Sequence, residues 1–318
     1  MTRDILLLFP GALGDFVCLW PTLQTLRREN DGRVALVTKP EFFPLLPNGR
    51  FIPISIDRRE IADLFARVTL HPATRRLFAG FERVHSWTGH GDPNFANRLR
   101  AATEGIVSVH QFRASHRGEH AGEYYARCVD VRPFQTRFST PTEAMRWAAD
   151  FWTAHHLGDR ALVIHAGSGS PRKNWEGMAA VATWWQRTRG EVAMLVGPAE
   201  AERPGPHVQI AVRSESLDRV GALLRRAHLY LGNDSGISHL AGLVGARGVA
   251  LFGPADPTAW RPLGNTVRVL SVPTPCPTCG PNHFCVHRLP VERVCAELTL
   301  AEAVRAELVR AEKWRPRQ

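Results

Sequence analysis

No uninterrupted apolar run in this chain approaches the ~18 residues that a membrane-spanning helix needs, although 44% of its 318 residues are hydrophobic. Short-period repeats and low-complexity segments are also missing, which excludes solenoids and compositionally biased tails. Charged residues make up 22%, and beside that apolar content they exclude bulk disorder. The length suits two domains, each burying a core of its own. A secretory leader is lacking in form: Arg3 precedes Ile5-Leu6-Leu7-Leu8-Phe9, but Pro10 and Asp15 interrupt, and Phe16 to Trp20 is apolar where a cleavage site is small and polar. The segment reads as a buried strand, a loop and a helix, so a cytoplasmic location is expected. The six cysteines are then not presumed to be disulfides.

Lysine is nearly absent. Of 40 Lys+Arg only Lys39, Lys173 and Lys313 are lysines, against 30 Asp+Glu, so the +10 formal charge rests on arginine. Genome base composition produces such a bias, yet a lysine at a special site stands out in this chain, because the two cations are not physically interchangeable. The charge itself predicts attraction to polyanions: nucleic acid, anionic lipid head groups or phosphorylated substrates.

What is present is alternation. Ile5–Phe9 is a continuous apolar run of the kind covered on both faces in a parallel sheet. Phe16–Glu29 has helical periodicity, Val34–Val37 follows as a strand, and apolar segments recur near Phe51–Ile56 and Arg83–Trp87. Between Asp92 and Gly122 the pattern blurs into loops and short helices. Glu123–Val131 reads as a helix and Pro133–Pro141 as an extended connector. Alternation restarts with strand Ala161–His165, helix Met178–Arg189, strand Ala193–Val196, helix Leu217–Arg226, strand Leu229–Leu231, helix Gly236–Val244 and strand Gly248–Phe252. The expected fold is α/β with two parallel-sheet domains, 1–150 and 151–300, and a C-terminal helical segment, 301–318.

Ligands of open parallel sheets bind where strands run into helices, and three glycine-bearing loops have that form. Pro10-Gly11-Ala12-Leu13-Gly14-Asp15 follows the first strand; Asp15 is either a helix cap or a carboxylate acting as general base. His165-Ala166-Gly167-Ser168-Gly169-Ser170-Pro171-Arg172-Lys173-Asn174-Trp175 offers N–H and hydroxyl donors with two cations, suited to phosphate, or is a solvated loop. It is neither a Walker A loop nor a full dinucleotide fingerprint. Leu231-Gly232-Asn233-Asp234-Ser235-Gly236-Ile237-Ser238-His239 ends a strand and opens a helix whose N–H groups favour an anion. Asp234 would repel phosphate, so hydroxyl binding or capping suits it better. The second and third loops together make a diphosphate the leading ligand.

These loops, with Gly197-Pro198-Ala199-Glu200 and Phe252-Gly253-Pro254-Ala255-Asp256-Pro257, resemble in order the ADP-heptose:lipopolysaccharide heptosyltransferases, glycosyltransferase family 9. The resemblance implies a GT-B fold, two Rossmann-like domains with parallel sheets facing a central cleft, and an inverting glycosyltransferase that requires no cofactor for catalysis. It implies Asp15 as the acceptor-hydroxyl base and Lys173 as the neutraliser of the leaving diphosphate. Gly14, Ser168, Ser170, Glu200, Asp234, Ser235, Gly236 and His239 would complete the donor site, with Glu200 on the ribose. ADP-heptose is the expected donor and an anionic glycan or glycolipid, commonly lipopolysaccharide core, the expected acceptor, handled in the cytoplasm or at the inner membrane face. Arg98, Arg100, Arg113 and Arg117 suit either a phosphorylated acceptor or a solvated basic face, and no acceptor motif is matched. The last helix of the family fold commonly returns to the N-terminal domain; the stripe in Leu300–Trp314 is equally compatible with packing on the nearer domain.

Cys276, Cys279, Cys285 and Cys295 fall within 20 residues, with His283 and His287 between them. Either they hold a structural zinc or iron or they are buried thiols in a proline-rich loop; Cys18 and Cys128 read as core. Two other functions fit parts of the sequence. A GT-B sugar-nucleotide epimerase would need the donor loops but no acceptor base. A basic nucleic-acid-binding protein with a Cys finger would explain the charge but not three ligand loops on strand ends, so no nucleic-acid partner is expected.

Overall fold

The computed structural model describes all residues except 1–3, 47, 48, 50, 114–117, 134–137, 198–209, 214, 281–283 and 314–318. The chain forms two compact units, Met1–Thr136 and Arg137–Gln318.

The first unit runs β1 (Ile5–Leu8), α1 (Leu13–Glu29), β2 (Val34–Thr38), β3 (Phe51–Ser55), α2 (Arg59–Asp63), α3 (Pro72–Phe78), β4 (Arg83–Ser86), α4 (Pro93–Ala102), β5 (Ile106–Val109) and α5 (Ala121–Cys128). Its five strands are all parallel, in the order β3-β2-β1-β4-β5. Every residue of β1 is buried, which is why it reads as an unbroken apolar run. Asp4 fixes its entry by accepting the Arg33 backbone N–H and Nε–H, each at 2.8 Å. The stretch expected as loops after Asp92 holds a full helix and a strand. Asp92 caps α4 by accepting the Asn94 N–H at 2.9 Å with Pro93 at the first helical position. β5 is an edge strand without one fully buried residue, so its apolar signal is weak.

The second unit runs α6 (Thr142–Ala154), β6 (Leu162–His165), α7 (Met178–Thr188), β7 (Val192–Val196), β8 (Ile210–Arg213), α8 (Leu217–Arg226), β9 (Leu229–Asn233), α9 (Gly236–Val244), β10 (Gly248–Phe252), α10 (Pro257–Trp260), β11 (Val267–Ser271) and α11 (Val291–Lys313). Six parallel strands lie in the order β11-β10-β9-β6-β7-β8. The units divide at 136/137 rather than at 150, because α6 packs on α8: Arg219 lies over the Trp147 ring and Arg226 over Trp152, at 5.1 and 5.6 Å. The last helix begins at Val291 and seats Val294, Leu298 and Ala301 in the core of its own unit. Glu302 pins it there, meeting Arg160, Arg189 and His228.

Both sheets reverse strand order once, between β1 and β4 and between β6 and β9. In open parallel sheets the crevice at the carboxyl ends beside such a reversal is where ligands bind. Tight strand contact is built in: a Cβ at Gly248 would lie 2.1 Å from the Tyr230 carbonyl oxygen, its partner in register. Gly248→Ala is therefore expected to destabilise by about 3 kcal/mol, the upper end of overpacking costs, read as a lower urea midpoint at unchanged slope.

Candidate functional site

In the first unit the loop leaving β1 at its reversal point carries Asp15. Ala12 takes the N-cap position of α1 and Asp15 is its third residue, accepting the Ala12 N–H through Oδ2 at 3.0 Å. One carboxylate oxygen thus caps the helix. The other lies 3.5 Å from the Tyr125 hydroxyl of α5, which donates towards it. Phe9, Trp87 and Tyr125 pack edge to face behind it, with centroids 5.0 to 5.8 Å apart. Burial raises the Asp15 pKa above the usual carboxylate value, against the Ala12 N–H and the nearby charge of Arg113, which lower it. Burial, and then the Asp15 charge, hold the Tyr125 hydroxyl firmly protonated. A carboxylate made more basic by its surroundings is equipped to take a hydroxyl proton.

Of the expected basic cluster, Arg113 is the one whose charge is felt at Asp15. Arg98 is largely buried and serves the fold, bonding Asp63 at 2.8 Å and the backbone of Asp63. Arg100 is exposed, and Arg117 lies outside the described residues. Two groups in this unit carry no signal in the sequence. Tyr125 sits unmarked within a predicted helix, and His85 Nδ1 contacts His110 Nε2 at 3.1 Å, where burial, then the charge of His110, push the His85 pKa down to about 3.

In the second unit, the loops after β6 and β9 meet at the reversal point. Lys173 Nζ reaches Asp234 Oδ2 at 2.7 Å, with Lys173 partly exposed and Asp234 buried. Asn233 clamps the same two loops, donating to the Ala166 carbonyl at 2.7 Å and accepting the Trp175 N–H at 3.1 Å. Ser235 is the N-cap of α9 and accepts the Ser238 N–H at 3.4 Å. Gly236 opens the helix, and His239 is buried one turn in. The Ser168 hydroxyl shapes its own loop, 2.7 Å from the Ser170 carbonyl oxygen and 2.6 Å from Asn174 Oδ1; Ser170 is half-buried. Gly14 is the second residue of α1, in the first unit. Glu200 lies outside the described residues. The sequence reading missed His165, the last residue of β6, whose Nδ1 lies 3.2 Å from Ser235 Oγ.

The thiols of Cys276, Cys279 and Cys285 lie within 4.8 Å of one another, with Cys285 to Cys279 at 3.5 Å. Hydrogen bonding from Cys285 lowers the Cys276 pKa, to about 7, and raises that of Cys285. Cys295 does not join them. It falls inside α11, packed against the core, because the helix starts nine residues earlier than the sequence pattern implied. His283 is outside the described residues, and His287 faces Glu176 at 4.0 Å. Three convergent thiols are a soft donor set suited to zinc or iron.

Two parallel α/β sheets, each with its polar groups gathered at a strand-order reversal, are the build of the GT-B fold. Residues 129–283 match the sequence model of glycosyltransferase family 9 (heptosyltransferase). In fold it is similar to the glycosyl transferase family 9 protein of Veillonella parvula, with a TM-score of 0.75 at 19% identity over 95% of this chain and 97% of that one. It is also similar to the E. coli ADP-heptose lps heptosyltransferase II, with a TM-score of 0.69 at 16% identity over 95% and 99%. A third likeness is to the iron-containing dodecameric heptosyltransferase TibC of E. coli in complex with ADP-D-beta-D-heptose, with a TM-score of 0.64 at 15% identity over 95% and 77%. No relative is found among the curated proteins. Among the described residues no helix is long and apolar enough to cross a membrane.

The raised pKa of Asp15 has a stability consequence. The folded chain keeps that proton to higher pH than the unfolded chain, so stability falls as pH rises from the ordinary 3.8 through the raised value, and the cost is complete at neutral pH. Asp15→Asn removes the ionisation and is expected to raise the thermal midpoint at about pH 7 and to lose that advantage at about pH 3. A midpoint several degrees below wild type at neutral pH contradicts the burial argument.

Proposed function

We propose that the chain transfers heptose from ADP-heptose, with inversion at the anomeric carbon, to a hydroxyl of an anionic glycan or glycolipid such as lipopolysaccharide core. The observation that carries this reading is the Lys173–Asp234 contact, which brings a cation, a carboxylate and the opening turn of α9 to one reversal point. Three groups needed by a sugar diphosphate stand together there: positive charge and helix N–H groups for the phosphates, and a buried carboxylate to accept sugar hydroxyls. On this reading the diphosphate takes over Lys173, while Asp234, released, turns to the sugar. Ser235, Gly236 and His239 line the phosphates, Ser168 and Ser170 shape and donate from the second loop, and Glu200 takes the ribose. The relatives described as acting on or holding ADP-heptose support the choice of donor.

The chemistry balances without a bound intermediate. Asp15 takes the proton of the acceptor hydroxyl as its oxygen bonds to the anomeric carbon. The bond from that carbon to the β-phosphate oxygen breaks on the opposite face, and ADP leaves with the electron pair, its charge met by Lys173 and the α9 N–H groups. The exposed arginines of the first unit, with Arg113 beside the base, fit an acceptor bearing negative charge and peripheral work at the inner membrane face.

Purified protein with ADP-heptose and a heptose-deficient core acceptor is expected to release ADP and extend the acceptor. Asp15→Asn should lower kcat by ~100-fold or more while ADP affinity stays within ~2-fold, and Lys173→Ala should weaken ADP binding by ~10-fold or more. Thermal stabilisation by a GDP- or UDP-sugar with none from ADP-heptose would overturn the donor.

The three convergent thiols support a second proposal: Cys276, Cys279 and Cys285 hold a structural zinc or iron, in keeping with a relative described as iron-containing. Elemental analysis should find about one metal per chain, lost in Cys279→Ser, and chelation should lower the thermal midpoint. Metal-free protein with an unchanged midpoint after chelation rules this out.

A further inference from the structure

His165 is 5% exposed at the carboxyl end of β6 and has no part in the catalytic reading above. Its partner in register on β9 is Gly232, and the missing side chain there is required by what lies alongside. A Cβ at Gly232 would fall 1.9 Å from the Tyr230 hydroxyl and 3.1 Å from Ser238 Oγ. Those two hydroxyls contact one another at 2.9 Å. Ser238 Oγ donates its proton to the Asn233 carbonyl at 2.6 Å, so Tyr230 is the donor between them. The turn from Asn233 to Ser238 is thus held from beneath by a buried chain in which these protons have defined places.

The proton left to place is that of Ser235. A serine hydroxyl has one proton to give and two lone pairs to fill. The Ser238 N–H fills one lone pair, and His165 Nδ1 stands 3.2 Å away on another side. If that nitrogen accepts, the serine proton points back into the protein and is lost to a ligand. If it carries a hydrogen and donates, both lone pairs are occupied and the O–H must point elsewhere. Among acceptors within reach of that O–H, a charged phosphate oxygen makes the strongest bond.

We infer that His165 is a positioning residue for the transfer reaction: its Nδ1–H, donated to Ser235 Oγ, directs the Ser235 hydroxyl outward as a donor to the diphosphate. This rests on the assignment of the β6 and β9 loops as the diphosphate site. Neither residue need touch a reacting atom for the effect to reach affinity, because a directed donor to a charged oxygen is among the stronger hydrogen bonds. A histidine that only filled space would be indifferent to what stands at residue 235.

The test is ADP affinity by calorimetry on the full chain, for His165→Asn and His165→Leu, each alone and combined with Ser235→Ala. Asparagine keeps an N–H close to the place of Nδ1; leucine keeps bulk without a donor. His165→Leu should weaken ADP binding by ~10-fold, and His165→Asn should stay within ~3-fold of wild type. With Ser235→Ala already present, His165→Leu should cost less than ~2-fold more, since the coupling runs through that hydroxyl. Equal losses in both backgrounds, or asparagine as harmful as leucine, overturn the inference. Thermal midpoints without ligand check folding, and His165→Phe, a ring without a donor, replaces leucine if that variant does not fold. Lys173→Ala separates the two layers: if it leaves ADP affinity unchanged, the diphosphate site itself is misplaced. If it weakens ADP while the His165 and Ser235 effects simply add, the site stands and the positioning role falls.

Discussion

β6 lies directly beside β9, parallel and in register, and the second unit's polar groups are where they are because of that pairing. It sets the carboxyl ends of two strands side by side at the one place where strand order turns around. The loop after β6 and the loop after β9 are then neighbours without a connecting residue between them. Lys173 finds Asp234, Asn233 clamps both loops, and His165 finds Ser235. Trp175 extends the frame by donating its indole N–H to the Leu289 carbonyl at 3.0 Å. That bond ties the lysine loop to the segment that follows the cysteine cluster.

The first unit uses the same topology for a different chemical end. Its reversal point gathers a carboxylate and a wall of aromatic rings instead of cations, so the environment works on basicity. Removing water from around Asp15 makes its proton harder to lose, while the Ala12 N–H and Arg113 keep the anion within reach. In the second unit a buried carboxylate is instead answered by a lysine at ion-pair distance. One sheet architecture thus holds a carboxylate of raised basicity in one place and a lysine–carboxylate pair in another, the difference lying in which side chains the loops carry.

The central strands were legible in the sequence and most of the edges were not, for one physical reason. β1, β6, β9 and β10 are buried on both faces, and burial on both faces writes itself as an apolar run. β5, β8 and β11 border their sheets, keep exposed or half-exposed positions and escaped notice. The unit boundary was read too late because α6 carries an ordinary amphipathic pattern, which does not say which core it will cover. Cys295 was grouped with the other thiols on spacing alone; the start of α11 at Val291 turns it into the core.

By itself the sequence determined the kind of chemistry: glycine- and serine-bearing loops after apolar runs, an acid beside the first of them, and a rare lysine in the second. These are local properties, since the backbone freedom of a loop and the charge of a side chain do not depend on distant residues. Tertiary structure alone decided the partners. Ser235 stands 70 residues from His165 and Tyr125 stands 110 from Asp15, and Lys173 meets Asp234 only across the β6–β9 reversal. Strand order is settled by which faces bury together, and that competition is fought over the whole sheet.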